Sequence, residues 1–293
     1  MVEIKKKEID RAVVFLQIGL SRMGDKRGVS SDEIEVDADK DLVKVRKVIF
    51  KSHAFDRIKS LDSEIRRYVR GVCFPWESGL HMVAKPTVEL INLQLERYEV
   101  ERHEYIRAFA NVWPNIREEF PDKLRKLWKE QDYDINDIPS QFSMYWNFME
   151  LKVPLDLEAV NSELFQTEQR KFRARMEEAY EEARMILRET CLQLVKHLRL
   201  SLQNDAYGAS KRIHSTTVTK LQDFLNIFDL RNITNDVELK SLTDQIKGLI
   251  GNVSADFLRS SDYHRNQIRH ELEGVEHSLT EAVTVASTRR IRV

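Results

Sequence analysis

His270, Glu273 and His277 come nearest in this chain to a metal-ligand pattern, sharing one helical face at i, i+3 and i+7. Residues i and i+7 stand two turns apart, roughly 10 Å, so both imidazoles cannot reach one ion at ~2 Å. Gly274 also interrupts the run, and a solvated polar face is expected. Gly24-Asp25-Lys26-Arg27-Gly28 follows a strand-like run, as a phosphate-binding turn would. It lacks the Gly-Lys-Ser/Thr ending, and no clear helix follows it. There is no Gly-x-Ser-x-Gly elbow to expose a nucleophile. The acid pairs Glu118-Glu119, Glu177-Glu178 and Glu181-Glu182 lie adjacent along helices, where they solubilise rather than act as an acid/base couple. Cys73 and Cys191, far apart in different predicted helices, read as reduced buried thiols. These residues predict no enzyme, no cofactor and no metal site.

The totals are those of an ordinary soluble protein, slightly rich in charge. Of 293 residues 42% are hydrophobic and 32% charged, and the formal net charge is −1. A near-zero balance argues against a protein whose whole surface attracts nucleic acid, while leaving room for a local basic patch. Length suggests two domains. No apolar run approaches the ~20 residues of a membrane span. No basic start followed by an apolar core reads as a signal peptide, and a cytoplasmic protein is expected.

The elements that must position any site divide at about residue 155. Residues 1–155 read as an α+β domain and 156–293 as a helical bundle. The whole is predominantly α, with a small mixed or antiparallel sheet near the N-terminus covered by helices. Ala12–Leu20 is a short β-branched run that reads as a buried strand, and Arg22–Ser31 as a turn. Leu42–Phe50 alternates as a half-exposed strand, the alternative being a helix capped by Asp39 or Asp41. Ser52–Val72 is a helix burying Phe55, Ile58, Leu61, Ile65 and Val69. Cys73–Gly79 reads as a loop and Leu80–Val83 as a short strand. A helix from Pro86 to about Val112 should break at Trp113-Pro114, with a second piece over Asn115–Gln131 interrupted by Pro121. Phe142–Val153 alternates and is aromatic, a strand closing the first domain.

The bundle is built on one long helix, about residues 157–203. Its stripe comprises Leu157, Val160, Leu164, Phe172, Met176, Ala179, Ala183, Ile186, Thr190, Leu194, Leu198 and Leu202. From Phe172 to Thr190 the steps alternate four and three, the heptad spacing of a coiled coil. Gly208 should stop it, and three shorter amphipathic helices follow: Ser215–Phe228, one capped by Asn235 or Asp236, and one opened by Ser260 or Ser261. A slender seam needs other helices along it. Phe172, Arg173, Arg175, Met176, Ala179, Ala183 and Ile186 are therefore the candidate partner-binding residues, shared between the bundle and a protein partner, the small alanines allowing close approach.

The alternative is nucleic-acid binding through a basic face at residues 40–70. Lys44, Arg46, Lys47, Arg66, Arg67 and Arg70 would carry it, with Tyr68 and Trp76 as stacking faces. Asp56, Asp62 and Glu64 interleave with these cations and weaken it.

The order of landmarks along the chain resembles a family of bacterial and phage proteins, domain of unknown function 3150. The landmarks are Val14-Phe15-Leu16-Gln17-Ile18, Ile58-Lys59-Ser60-Leu61-Asp62-Ser63-Glu64-Ile65-Arg66-Arg67, Gly79–Val83, Trp113-Pro114 and Asp132-Tyr133. Ile138-Pro139-Ser140 ahead of Phe142–Pro154, Tyr207-Gly208-Ala209-Ser210-Lys211 and the run from Leu221 to Leu258 complete them. The family brings no catalytic residues to carry over. Its members are similar in being encoded on phages and mobile elements, near an AAA-type ATPase of the MoxR or cobalt-chelatase small-subunit kind and a von Willebrand A-type protein. The resemblance thus implies a non-enzymatic adaptor or assembly protein whose partner is such an ATPase, such a von Willebrand A-type protein, or a second copy of itself. The chain has neither an ATPase phosphate loop nor an Asp-x-Ser-x-Ser metal site of its own.

Overall fold

A computed structural model describes residues 13–30, 33–35, 38–39, 42–203 and 213–290. The fold is α+β and mainly α, with a small antiparallel sheet covered by helices. The strands are β1 (Val13–Ser21), β2 (Lys26–Val29), β3 (Val45–Val48), β4 (Phe74–Pro75), β5 (Leu80–Ala84) and β6 (Ser143–Met149). The helices are α1 (His53–Val72), α2 (Val88–Leu124), α3 (Asp156–Val160), α4 (Ser162–Ser201), α5 (Ser215–Arg231), α6 (Val237–Ile250), α7 (Ala255–Ser260) and α8 (Asp262–Arg290). The larger sheet reads β4–β5–β1–β6, and β2 and β3 form a separate two-stranded ribbon.

The chain folds into two compact units, and they do not divide at residue 155. One comprises Met1–Phe15, Gly71–Thr87 and Met149–Val293, and the other Leu16–Arg70 and Val88–Phe148. Strand β1 passes from the first to the second after Phe15. Each unit has its own core. In the first, Val13, Phe15, Phe74, Met82 and Ala84 pack with Met176, Tyr180, Ala183, Leu187, Cys191 and Val195 of α4 and with apolar residues of α5, α6 and α8. In the second, Ile49, Phe50, Phe55, Ile58, Phe109, Trp113, Tyr133 and Phe142 form an aromatic cluster. Phe50 stands edge-on to both Phe55 and Trp113, at 4.9 and 5.5 Å between centroids.

Several expected boundaries move, each for a physical reason. The long helix starts at Ser162, not Leu157. Asn161 takes an extended conformation (φ −158°, ψ 105°), and its side-chain oxygen accepts the Leu164 amide at 2.9 Å, an N-cap. Leu157 and Val160 belong instead to the separate α3. From Ser162 the helix is unbroken for 40 residues, about 60 Å. Its buried face is turned relative to the expected stripe: Tyr180, Leu187, Cys191 and Val195 are interior, while Thr190, Ile186 and Leu194 flank them. The stop expected at Gly208 lies outside the described residues.

Helix α2 runs through Pro114 and Pro121 rather than breaking there. A proline inside a helix costs about 3 kcal/mol. Trp113, Ile116 and Phe120 are each buried on the core side of the same helix, and that burial, at about 1.5–3 kcal/mol per large side chain, outweighs the lost hydrogen bonds. The turn expected over Arg22–Ser31 contains β2, which pairs antiparallel with β3 from Lys26 opposite Val48 to Val29 opposite Val45. The loop expected over Cys73–Gly79 contains β4, paired with β5, and ends on Gly79 at φ +77°, a conformation that favours glycine. Pro75 is tolerated because β4 is an edge strand. Strand β6 ends at Met149, four residues before the expected Val153. Gly19 is fixed by packing: a Cβ there would fall 2.2 Å from the Tyr145 ring.

Candidate functional site: a groove around Phe172

The exposed first third of α4 and the chain segment after β6 enclose two adjoining hollows in the first unit. One, about 290 Å³, is lined by Val13, Phe15, Glu150, Leu155, Gln169 and Met176, among others. The other, about 510 Å³, is lined by Trp76, Glu77, Leu80, Leu157, Glu168 and Arg175, among others. Phe172 and Leu151-Lys152-Val153 belong to both, so the hollows form one groove with Phe172 at its waist. The local folding is simple. Asn161 fixes where α4 begins, Phe172 then falls eleven residues in, and Met176, one turn further, is already core.

The floor is apolar and the rim charged. Val13, Phe15 and Met176 are buried beneath it, and Phe15 meets Trp76 edge-on at 5.4 Å between centroids. Phe172, Trp76, Leu80 and Leu151 pack partly buried on the core. Leu155, Val160 and Leu164, alongside, are exposed, Leu155 at 71% and Val160 at 80%. On the rim, Arg175 pairs with Glu77 at 3.5 Å, Lys171 with Glu168 at 2.8 Å, and Glu150 with both Lys85 and Lys152 at 3.4 Å. Hydrogen bonds from Lys152 and then Lys85 hold the Glu150 carboxyl below the usual range. Among the described residues Arg173 has no such partner, and the named rim cations outnumber the acids by two. The groove thus offers an apolar floor bordered by surface charges.

The structure divides the seven partner-binding candidates. Phe172, Arg173, Arg175 and Met176 line the groove. Ala183 is 1% exposed in the interior, and Ala179 and Ile186 pack against the same core. That half of the seam is used inside the unit. Sequence reasoning missed the opposite wall, Trp76, Leu80 and Glu150–Val153. The signal that could have found it is a tryptophan in a Pro/Gly-bounded turn, since connecting segments more often bind than pack.

The six residues of the basic face do not remain together. Lys47 is buried, bonded to Asp132 at 2.5 Å and donating to the Leu127 carbonyl. Its alternation on β3 puts it opposite the exposed Arg46. Lys44, Arg46, Arg66, Arg67 and Arg70 are exposed. Trp76 belongs to the groove and Tyr68 stacks edge-on against Tyr98 at 5.7 Å, so neither proposed stacking face serves those cations.

Other reactive groups are accounted for by packing. Burial pushes the Cys73 thiol up to about 12 despite nearby Arg231, and pushes Cys191 likewise to about 12. Both are free and buried. His277 lies 3.4 Å from Glu281, one turn along α8. Among the described residues no group of three or more His, Cys, Asp or Glu side chains is placed to hold a metal ion. No helix among them is long and apolar enough to cross a membrane.

Two buried ionic clusters escaped the sequence reading. Arg188 of α4 donates to both carboxylate oxygens of Asp236 at 2.7 and 3.0 Å, to Glu238 at 2.8 Å and to the Ala282 carbonyl at 3.0 Å, tying α4 to α6 and α8. In the second unit, Asp62 is fully buried between Arg102 at 2.9 Å and Arg22 at 2.8 Å, and Arg102 also donates to the Ser21 carbonyl. Every strong donor and acceptor in these clusters is engaged, which marks them as structural.

No family model matches this chain, and neither a curated protein nor a solved structure does.

Proposed function

We propose that this is a non-enzymatic adaptor or assembly protein of the cytoplasm that docks a partner protein in the groove around Phe172. The observation that supports it is an open apolar floor beside exposed Leu155, Val160 and Leu164, rimmed by cations of which Arg173 lacks a partner among the described residues. A contiguous apolar surface with a polar rim is the anatomy of a protein contact. The occupant is a segment that presents a large apolar side chain followed by a carboxylate. The resemblance to domain of unknown function 3150 adds a class of partner: a MoxR-type AAA ATPase or a von Willebrand A-type protein of a phage or mobile element.

A photoreactive residue placed at Arg173 tests this directly, in cells and then with purified MoxR-type and von Willebrand A-type proteins. The expected product is a crosslink to protein that Phe172→Asp abolishes, with about tenfold or greater loss of affinity in solution while the variant still melts cooperatively. Crosslinking to nucleic acid, at the expense of protein, would favour the basic residues Lys44, Arg46, Arg66, Arg67 and Arg70 instead. Binding that survives Phe172→Asp would remove the groove as the contact.

A further inference from the structure

Helix α2 carries a second unpartnered face, in the other unit. Its core side is Ile91, Leu95, Tyr98, Arg102 and Ile106. On the opposite side Leu90, Leu93, Arg97, Val100 and Glu104 repeat at steps of three and four, the spacing of a helix–helix seam. Leu90 is 58% exposed, Leu93 46% and Val100 61%. A helix that met only water on this side would be polar there.

The charges on this face indicate what covers it. Glu96 accepts a hydrogen bond from Asn92 and Glu101 one from Tyr105, so both are engaged within the helix. Glu89, Arg97, Glu104 and Arg107 are exposed and, among the described residues, make no ion pair or hydrogen bond through their side chains. They are two acids and two bases, and their order along the helix is acid, base, acid, base. Laid against an antiparallel copy with the twofold axis near residue 99, Arg97 comes within reach of Glu104 on the other helix, and Glu89 within reach of Arg107. Each pair occurs twice. Val100 then lies beside its own copy at the axis, and Leu90 and Leu93 cover Ala108 and the stems of Arg107 and Glu104. A parallel copy would instead set Arg97 beside Arg97 and Glu104 beside Glu104, which like charges oppose.

We infer that this face of α2 is a self-association surface, pairing two copies of the chain through antiparallel α2 helices. The contact is modest in size and rimmed by charge, so it forms a concentration-dependent dimer that salt weakens.

The test is sedimentation equilibrium of the full chain at low salt over a wide concentration range. Wild type is expected to show a monomer–dimer equilibrium. Arg97→Glu and Glu104→Arg, each made alone, place like charges across the axis twice and should raise the dimer dissociation constant roughly tenfold or more. An equimolar mixture of the two variants restores both ion pairs in a heterodimer and should recover wild-type association. Phe172→Asp should leave the dimer unchanged, which keeps this inference separate from the docking groove. A wild-type chain that stays monomeric throughout, reversals without effect, or a mixture that fails to re-associate would each overturn it.

Discussion

At the scale of single residues, stability hangs on a few charges placed where water does not reach. Asp236 is the clearest. Burial alone would raise its carboxyl pKa, but the Arg188 hydrogen bonds, the Leu239 amide and the neighbouring Arg184 outweigh it and hold the group below the usual carboxylate range. Arg188 is correspondingly raised, first by its bond to Asp236. Because the folded value lies below the unfolded one, the stabilisation is fully present above the ordinary carboxylate pKa and is lost as pH falls through the depressed value. Asp236→Asn removes the charge but keeps the shape, leaving Arg188 with Glu238, which is largely exposed. At neutral pH it should cost about 3–5 kcal/mol in denaturant unfolding, as broken buried pairs do. The gap from wild type should close only in strongly acid solution. Equal stability at neutral pH would mean that the cluster contributes nothing net.

At the scale of elements, packing overrides local preference in α2 and rotates the buried face of α4. Pro114 is exposed, yet lies within α2 one residue after the buried Trp113. Replacing it with alanine restores a backbone donor and relieves the ring clash, while loosening the unfolded chain by up to about 1 kcal/mol. Pro114→Ala should therefore raise stability by about 1–2 kcal/mol, read as a higher Tm. A loss of stability would show that the proline shapes the helix for its core rather than being carried by it. In α4, the choice of interior residues follows from where β4 and β5 stand, since Phe74, Met82 and Ala84 share the core with Tyr180, Leu187 and Cys191. The same rotation buries Ala183, leaves Ala179 and Ile186 at the flank of the core, and leaves Phe172 at the groove.

At the scale of the whole molecule, the two units interleave along the chain. A cut at residue 155 would release neither. The fragment 156–293 retains the helices of the first unit but lacks Val13, Phe15, Phe74, Met82 and Ala84, which complete that unit's core. At about 25 cal/mol per Å² of apolar surface, uncovering these side chains is a large fraction of the 5–15 kcal/mol that holds a domain folded. Expressed alone, the fragment should bind a hydrophobic dye and melt with poor cooperativity. A fragment that melts as sharply as the intact chain, with no dye bound, would show those segments to be dispensable. The division also separates the two surfaces: the groove lies wholly in the first unit and the α2 face wholly in the second.

The sequence by itself determined what repeats within a few turns of chain. Periodicity placed α1 to within a residue, with Phe55, Ile58, Leu61, Ile65 and Val69 all buried as expected. It also placed β1, β5 and three of the four C-terminal helices, missing the short α7, and the mainly helical α+β class. Charge and apolar character alternate along α4, which is why Phe172 can stand at the groove between Arg173 and Arg175 while Met176 is buried beneath it. What only tertiary structure decided depends on partners remote in sequence. The β2–β3 pairing joins residues some twenty apart across an acidic stretch, and Lys26, Arg27 and Gly28 of β2 carry no strand signal of their own. Asp62 and Arg102 look like solvated helix charges until forty residues of chain bring them together. Trp76 and Leu151 become walls of one groove only when α4 is laid beside them. Local pattern fixes which side of a helix is apolar; which neighbour covers it, and what is left open, is settled by contacts that no window of sequence contains.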